Sequence, residues 1–536
     1  MIKQLIVIAL CTSTIMTSLS AEPKLHPQVS ERIERAIANQ QVRAVSTAVY
    51  DNGEITYQGF GIVAANNLSA PNENTVFEIG SISKVFTALL AQTQVDSGKL
   101  RWDDTLAERF PDVKFASKAV GAISLRELAA HRSGLPRLPD NLEAIDFGDP
   151  FTGYNRAKLL EFLSAFKPKK LQKQYDYSNL GAGILGELAA DAADSSFAEA
   201  TEKHILAPLA MSRSGFNPDK LGIDELAIGF SAGEDAVNWT SSNALAGAGS
   251  LLSTSQDLMS FVHRNLHQGA LDEALAAIRE IQYSGETALG WHLTDADSDE
   301  IMYWHNGGTG GYASFLAYRP SDKKGFVLLS SSTDYDLITE LGFAQMSGKT
   351  QALELVDLSA YPGAYQVSRN FYLFITADDD RLFAQATGQA AFPLTYSAEN
   401  EFVFQGADIR IVFEETTTES SPSLILYQGN SKTKAKRAKA VKGVPVLLES
   451  AINQDQLGDY LGRYQLTPAV EIVVEEKNQR LLVRLSYQPA HPVYGYDTDK
   501  FFYKVVDAQL EFERTEGKVS AVILHQNGKQ RAPRIE

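Results

Sequence analysis

Phe77-Glu-Ile-Gly-Ser-Ile-Ser-Lys-Val-Phe-Thr-Ala-Leu-Leu90 carries a Ser-x-x-Lys pair, Ser81 and Lys84, into a predicted apolar helix over 85–95. A serine at a helix N-terminus lies among free backbone N–H groups, which stabilise a negatively charged oxygen. Lys84 follows one turn later on the same helical face, within reach of the hydroxyl. The stretch therefore predicts a nucleophilic Ser81 with a lysine base beside it.

Ser-x-x-Lys is a weak signal by itself, because the pattern also begins at Ser164, Ser321 and Ser431. Only Ser81 follows an apolar residue and a glycine and opens a long apolar helix. The lysines of the other three copies are predicted to lie on the surface.

A Tyr-x-Asn motif supplies the polar partners that a buried lysine needs. A lysine acts as a base only when burial or a neighbouring cation lowers its pKa. Of two copies of the motif, Tyr50-Asp-Asn52 belongs to a predicted hairpin turn. Tyr177-Ser-Asn179 precedes a glycine-rich helix start, where backbones can pack closely, and is therefore the copy predicted to lie beside Lys84. In this copy, Tyr177 is predicted to transfer protons. Asn179 is predicted to hold Lys84 and the amide of a substrate.

A His-x-Gly motif is the third candidate. His267-Gln-Gly269 ends a predicted helix, where histidine and glycine are common caps. His305-Asn-Gly307 lies instead in a glycine-rich run directly before a predicted strand, and such a run lets a backbone approach a ligand closely. The N–H of Gly308 is predicted to be a second oxyanion donor, paired with that of Ser81.

The three motifs together resemble the active-site motifs of class C β-lactamases and DD-peptidases. The resemblance spans roughly residues 30–345, with the motifs in the family's order. Two segments outside the predicted site, 124–136 and 251–258, also look like family segments. The resemblance implies that Ser81 is acylated, that Lys84 and Tyr177 share acid–base work, and that Asn179 and His305 orient the substrate.

The third motif departs from the Lys-Thr-Gly of class C β-lactamases. His305 at that place is more similar to DD-carboxypeptidases, D-aminopeptidases and related esterases. It is expected to titrate near neutral pH and to replace a permanent cation. The main hypothesis is thus an acyl-enzyme hydrolase of D-amino-acid peptides, such as peptidoglycan fragments. An esterase or a β-lactamase is the alternative, and an inactive receptor or scaffold is a second alternative.

Composition narrows the other classes of function. The formal net charge of −17 argues against nucleic acid or an anionic membrane as a partner. Cys11 is the one cysteine, and no His-Glu-x-x-His pattern occurs. His263 and His267 stand four apart but are expected to mark an ordinary helix end. Neither a metal nor an organic cofactor is predicted.

The N-terminus is predicted to be a secretory signal peptide, residues 1–21. Lys3 precedes an apolar core that begins at Leu5, and small residues end it at Ala21. The apolar run is too short to span a bilayer, and no later run is predicted to cross one. The sequence therefore predicts export to the periplasm or the medium without a transmembrane anchor.

The C-terminal part contains an internal repeat with one constant offset of 99 residues. Tyr361-Pro-Gly-Ala-Tyr365 recurs as Tyr460-Leu-Gly-Arg-Tyr464, and Asp408-Ile-Arg-Ile-Val-Phe413 as Asp507-Ala-Gln-Leu-Glu-Phe512. Each copy resembles the small lipocalin-like β-barrels of secreted serine hydrolases, which implies a homo-oligomer contact or a cover over the active site. A basic stretch between the copies, 432–442, is expected to be a solvated strand end and linker.

These patterns predict an α+β fold followed by two small barrels. A hydrolase domain over 22–346 has an antiparallel sheet of the β-lactamase/transpeptidase type beside a helical subdomain. Lipocalin-like β-domains follow over 357–440 and 457–536.

Overall fold

The computed structural model describes the hydrolase part over 24–38, 41–51, 53–142, 149–221, 226–231, 234–239, 243–283 and 287–348. It describes most of 358–438 and 457–535, apart from short gaps between strands. The predicted signal peptide, 1–21, lies outside the described residues, as do 439–442 of the basic stretch.

The hydrolase part is built on a six-stranded antiparallel sheet in the order β2-β1-β10-β9-β8-β7. The first strand therefore pairs with the last one, with Ala44 opposite Ser331. Two short ladders, β3 with β6 and β4 with β5, lie outside this sheet. The described strands of the hydrolase part are β1 (Ala44–Asp51), β2 (Glu54–Gly61), β3 (Val76–Glu78), β4 (Gly229–Ser231), β5 (Glu234–Ala236), β6 (Leu252–Thr254), β7 (His292–Thr294), β8 (Met302–Gly308), β9 (Ala313–Arg319) and β10 (Lys324–Ser331).

Helices cover both faces of this sheet, because alternate residues of its central strands enter two different cores. Ala48 and Tyr50 face the larger core, whereas Val45 and Val49 pack toward the first and last helices. The described helices are α1 (Pro27–Ala38), α2 (Ser83–Asp96), α3 (Leu106–Arg109), α4 (Lys118–Gly121), α5 (Leu125–Ala129), α6 (Arg156–Ala165), α7 (Asn179–Ala192), α8 (Phe197–Thr201), α9 (Pro218–Leu221), α10 (Ser255–Leu266), α11 (Asp272–Ile278) and α12 (Tyr335–Ser347).

Helix α2 lies in the middle of the larger core and is buried on nearly all sides. It packs against α7 and α11, so its polar residues also lie inside the protein. Within the described ranges, no helix has both the length and the apolar character needed to cross a membrane.

The predicted α+β fold is confirmed, with three differences in its elements. Ser81 lies in a 3-10 turn, Gly80–Ile82, which leads directly into α2 at Ser83. The glycine-rich run after Met302 is itself a strand, β8, and does not merely precede one. Helices α1 and α12 were not predicted, although together they cover one face of the sheet.

The C-terminal part forms two β-barrel units, as predicted. In the first, eight strands close into a barrel in sequence order. In the second, eight strands form a sheet whose two edge strands meet at a bridge between Tyr464 and Arg534. The elements are β11 (Gly363–Ser368), β12 (Phe371–Asp378), β13 (Arg381–Ala386), β14 (Ala391–Ala398), β15 (Glu401–Phe404), β16 (Ile409–Glu414), β17 (Ser423–Gln428), β18 (Ser431–Arg437), α13 (Leu457–Tyr460), β19 (Gly462–Thr467), β20 (Val470–Lys477), β21 (Arg480–Leu485), β22 (His491–Asp497), β23 (Lys500–Tyr503), β24 (Gln509–Thr515), β25 (Lys518–His525) and β26 (Lys529–Pro533).

The repeat seen in the sequence recurs as the same tyrosine corner in each unit. In the first, the Tyr365 hydroxyl donates to the Tyr361 carbonyl at 2.7 Å. In the second, the Tyr464 hydroxyl donates to the Tyr460 carbonyl, also at 2.7 Å.

An arginine at the end of the last strand, or directly after it, closes each corner. Arg437 donates to the carbonyls of Ala360 and Ser421 and lies over the Tyr365 ring. Arg534 donates to two carbonyls at the start of the second unit and lies over the Tyr464 ring. Each arginine satisfies carbonyls at the start of its own unit, so both units close in the same way.

The buried tyrosine corner is expected to stabilise each unit. Tyr464→Phe removes a donor from a fully buried carbonyl contact and should lower the free energy of unfolding of the second unit by about 1–2 kcal/mol. Hydrogen exchange of β19 amides in the full chain measures this loss. Tyr496→Phe is the matched control, because Tyr496 is only partly buried and its hydroxyl contacts the Gln509 side chain at 3.1 Å. Equal protection of β19 in both variants would contradict the expectation.

Candidate active site

Ser81 and Lys84 lie side by side at the junction between the 3-10 turn and α2. The Lys84 Nζ is 2.9 Å from the Ser81 Oγ. It also donates to the carbonyl of Ala248 at 2.6 Å. The structure thus brings the predicted nucleophile and the predicted base into direct hydrogen-bond contact.

Lys84 is buried, with 3% of its surface exposed. Burial, together with the nearby positive charge of Arg137, holds the pKa of Lys84 well below its usual value. In the described part of the chain, no carboxylate forms an ion pair with this amine. A buried amine without a carboxylate partner favours the neutral form, which is the form that accepts a proton.

Tyr177 packs over the amine of Lys84, with 4.8 Å from Nζ to the ring centroid. It directly precedes α7, whose N-cap is Ser178. Burial raises the pKa of the Tyr177 hydroxyl, and the hydrogen bond with Ser81 offsets this only in part. The phenol therefore carries its proton at neutral pH and lies close to the nucleophile.

Asn179 begins α7 and lines the same cavity as Ser81. Its Oδ1 is buried without a hydrogen-bond partner among the described residues. The prediction that Asn179 holds Lys84 is wrong in this structure, because the Ala248 carbonyl accepts from the lysine. The free Oδ1 is available to a substrate amide.

His305 lies on β8 and is 1% exposed. The expectation that it titrates near neutral pH is wrong. Burial and the neighbouring His292 and Lys84 hold the pKa of His305 well below its usual value, so the ring is neutral. Its Nδ1 lies 2.5 Å from the Asn306 carbonyl, and its ring is 6.4 Å from that of Tyr177.

Glycines bring the third motif against the nucleophile turn. Gly80 has φ +51°, and a Cβ there would lie 2.5 Å from the backbone nitrogen of Gly308. Gly307 and Gly308 both line the cavity with Ser81. This close approach requires glycine at position 80. It places the backbone of β8 beside Ser81, which is where the predicted oxyanion donor Gly308 has to lie.

The cavity above Ser81 has a volume of about 470 Å³. Phe151 and Trp239 form part of its wall, with ring centroids 4.9 Å apart. The described residues that line it are Ser81, Arg137, Phe151, Tyr175, Tyr177, Asn179, Trp239, Asn243, Leu245, Ala248, Gly249, Ser250, His292, Asn306, Gly307, Gly308 and Tyr335.

Sequence reasoning missed two histidines beside Tyr177. His131 lies 4.4 Å from the Tyr177 ring centroid, and its Nδ1 accepts from the Ser178 backbone N–H. His292 lies 6.1 Å from Tyr177 and 4.6 Å from His305, and burial lowers its pKa to about 4. His131 belongs to the segment 124–136 that was placed outside the site; no residue of this segment lines the cavity, but His131 contacts Tyr177 from behind it.

The rejected copies of the Tyr-x-Asn and His-x-Gly motifs, at Tyr50 and His267, contact each other away from this cavity. The Tyr50 hydroxyl lies 2.5 Å from the His267 Nε2, and the rings of His263 and His267 stack at 4.4 Å. None of the three lines the cavity. The rejection of these copies as catalytic motifs agrees with their positions.

Comparison with known proteins gives the family. The family model described as Beta-lactamase matches residues 29–340, which is more than half of the chain. The chain belongs to the beta-lactamase family. It is accordingly a serine hydrolase.

This member of the beta-lactamase family is also similar to individual proteins and solved structures. A protein named beta-lactamase from Pseudomonas fluorescens is 26% identical over 341 residues, covering 56% of this chain and 92% of the relative. Penicillin-binding protein 4* of Bacillus subtilis (strain 168) is 23% identical over 445 residues, covering 73% of this chain and 94% of that protein. A crystal structure of a class C beta lactamase is 25% identical with a TM-score of 0.53, covering 60% of this chain and 97% of that one.

The C-terminal part has a family match of its own. A model described as a domain of unknown function, DUF3471, matches residues 449–533. This range contains the second barrel unit, β19 to β26.

Glu78 lies directly behind the site of this family member, on β3. Its Oε1 accepts from the backbone N–H of Trp239, a cavity residue, at 2.8 Å. Burial raises the pKa of Glu78 to about 7, although the hydrogen bond from the Trp239 amide lowers it. The protonation state of the Glu78 carboxyl therefore affects the hydrogen bond that holds Trp239 in the cavity wall.

Glu78 is expected to make stability depend on pH. Its folded-state pKa lies above the unfolded value of 4.5, so stability should fall as pH rises from about 4.5 to about 7, by about 3 kcal/mol at most. Glu78→Gln keeps the carbonyl acceptor but cannot ionise. The melting temperature of the variant, minus that of the wild type, should be higher at pH 8 than at pH 5.

The matched control is Glu161→Gln, which changes an exposed glutamate on α6. Its difference from the wild type should be the same at both pH values. A Glu78→Gln difference that does not change with pH would refute the role of this carboxyl.

Proposed function

We propose that this chain is an exported hydrolase of D-amino-acid peptides, of the DD-carboxypeptidase or D-aminopeptidase type, that works through an acyl-enzyme on Ser81. The contact that carries the proposal is the 2.9 Å approach of the buried Lys84 Nζ to the Ser81 Oγ. A neutral amine at this distance accepts the hydroxyl proton as the oxygen attacks.

Acylation begins when the Ser81 Oγ attacks the carbonyl carbon of the substrate and its proton moves to Lys84. The bond from carbon to the leaving group then breaks, and the leaving amine takes a proton from the phenol of Tyr177. Backbone N–H groups of Ser81 and Gly308 stabilise the developing oxyanion. Asn179 accepts a hydrogen bond from the substrate amide through its unpartnered Oδ1.

Deacylation reverses these roles with water as the nucleophile. A water molecule loses its proton to the Lys84–Tyr177 pair, attacks the ester carbonyl and releases the acid. Ser81 recovers its proton from the same pair. His305 is neutral and buried and does not line the cavity, so it orients the substrate through the backbone of β8, whose Gly307 and Gly308 do line it.

Two findings favour D-peptides as substrates. His305 stands where class C β-lactamases carry a permanent cation, and in this the chain resembles DD-carboxypeptidases and D-aminopeptidases. The match to a relative named penicillin-binding protein 4* also covers more of this chain than the match to the Pseudomonas enzyme, 73% against 56%.

A β-lactamase is the second candidate, because the Pseudomonas relative and the class C structure bear that name. The same groups would open a β-lactam ring, and fast deacylation would then distinguish this activity. An inactive scaffold has no support from the site, since the predicted nucleophile and base are in contact.

The proposal also covers the location and the partners of the protein. The chain is exported to the periplasm or the medium. The substrates are small peptides or acyl compounds, including peptidoglycan fragments. The barrel units either cover the active site or join copies of the chain into a homo-oligomer.

Ser81→Ala is expected to abolish hydrolysis of D-Ala-D-Ala peptides, because no acyl-enzyme can form. The substrates to compare side by side are a D-Ala-D-Ala peptide, D-Ala-p-nitroanilide, nitrocefin and p-nitrophenyl butyrate. Ser164→Ala is the matched control, since Ser164 begins another Ser-x-x-Lys on the exposed end of α6. Fast turnover of nitrocefin alone would make β-lactamase the function.

Lys84→Arg should slow acylation of Ser81 by about 10²-fold or more at pH 7, because a guanidinium stays protonated and cannot act as a base. The rate of labelling by a fluorophosphonate measures this step. Lys99→Arg is the control, as Lys99 is an exposed lysine that donates to the Ala192 carbonyl. Unchanged labelling in Lys84→Arg would remove Lys84 from the proposed mechanism.

A further inference from the structure

The charge inside the cavity is carried by one side chain. Arg137 is the only permanently charged residue among the described residues that line the cavity, and no carboxylate is among them. Lys84, below the cavity, is buried with a depressed pKa, and His305 on the opposite strand is neutral. The cavity therefore offers a single cation to a ligand.

The backbone of Arg137 is fixed at the start of α7. Its carbonyl accepts from the backbone N–H groups of Asn179, at 3.0 Å, and Leu180, at 3.2 Å. The arginine is thus held on the same side of the cavity as the unpartnered Oδ1 of Asn179.

Arg137 is an exposed residue, and its guanidinium lies over the Tyr177 ring, 5.0 Å from the ring centroid. Among the described residues, it forms no ion pair with an aspartate or a glutamate. Its charge lowers the pKa of both Lys84 and His131, which places it electrostatically in the site. A planar guanidinium held over an aromatic ring retains free N–H groups at its edge, and these match the two oxygens of a carboxylate.

We propose that Arg137 binds a carboxylate of the substrate and so makes the enzyme prefer anionic acyl compounds over neutral ones. The inference rests on the proposed acyl transfer to Ser81 and names the substrate class within it. Arg137 takes the place of the cation that the third motif lacks, but from the α7 side of the cavity.

The test compares substrates that differ only in one carboxylate. The first pair is N-acetyl-D-Ala-D-Ala and its C-terminal amide. The second pair is D-Ala-D-Ala amide carrying either an N-succinyl group or the uncharged N-succinamyl group of the same length. In Arg137→Gln, kcat/KM should fall about 10–100-fold for the anionic member of at least one pair, relative to its neutral member. The pair that responds shows whether the carboxylate belongs to the leaving group or to the acyl group.

Two variants control for charge. Arg137→Lys keeps the cation and should retain most of the anionic preference. Arg132→Gln removes the same charge from the same segment, but Arg132 lies over Tyr283 and does not line the cavity. It should leave both ratios unchanged. Loss of the Arg137 charge also acts on Lys84, so the rates of anionic and neutral substrates are expected to share any change in pH profile, and only their ratio is diagnostic.

An Arg137→Gln enzyme with wild-type ratios in both pairs would overturn the inference. Failure of the proposed function looks different, since the wild type would then turn over neither D-peptide pair. In that case the comparison moves to labelling of Ser81 by a fluorescent penicillin, which carries a carboxylate, and by an uncharged fluorophosphonate. Arg137→Gln should slow the first label more than the second, and equal slowing would again refute the carboxylate site.

Discussion

The burial of the Lys84 amine beside Ser81 is the constraint on which the rest of the site depends. A charged ammonium in the protein interior without a carboxylate partner is costly, so the lysine is held as a neutral amine. Helix α2 is buried on nearly all sides, and the same burial keeps the surrounding histidines, His131, His292 and His305, neutral. The fold therefore provides a free amine at neutral pH, by excluding water and by placing Arg137 nearby, the one permanent cation among the described residues that line the cavity.

Much of this arrangement could be predicted from the sequence, because it depends on local patterns. The helix after Ser81, the start of α7 at Asn179 and the β1–β2 hairpin all follow from apolar periodicity, glycine and turn residues. What could not be predicted depends on contacts between distant segments. His131 and His292 have no motif of their own and are brought to Tyr177 from two distant segments, the turn after α5 and the start of β7. Likewise, the neutrality of His305 is a property of its burial and cannot be deduced from the residue type.

The barrels show a different balance between local and distant information. Their 99-residue repeat was visible because both copies need the same residues at the same corner, a buried tyrosine whose hydroxyl reaches a carbonyl four residues earlier. The closing arginines, Arg437 and Arg534, are 97 residues apart and so fall outside that register. Their role emerged only from the structure, in which each contacts the start of its own unit.

The pairing of the first strand with the last one sets the order in which this chain can fold during synthesis. Ala44 finds its partner only when Ser331 has left the ribosome, so the β1–β2 hairpin keeps one open edge until then. The barrel strands instead pair with their sequence neighbours, and each unit can assemble as it emerges. The open edge of β1 is therefore the part of the hydrolase sheet that waits longest for its partner during synthesis.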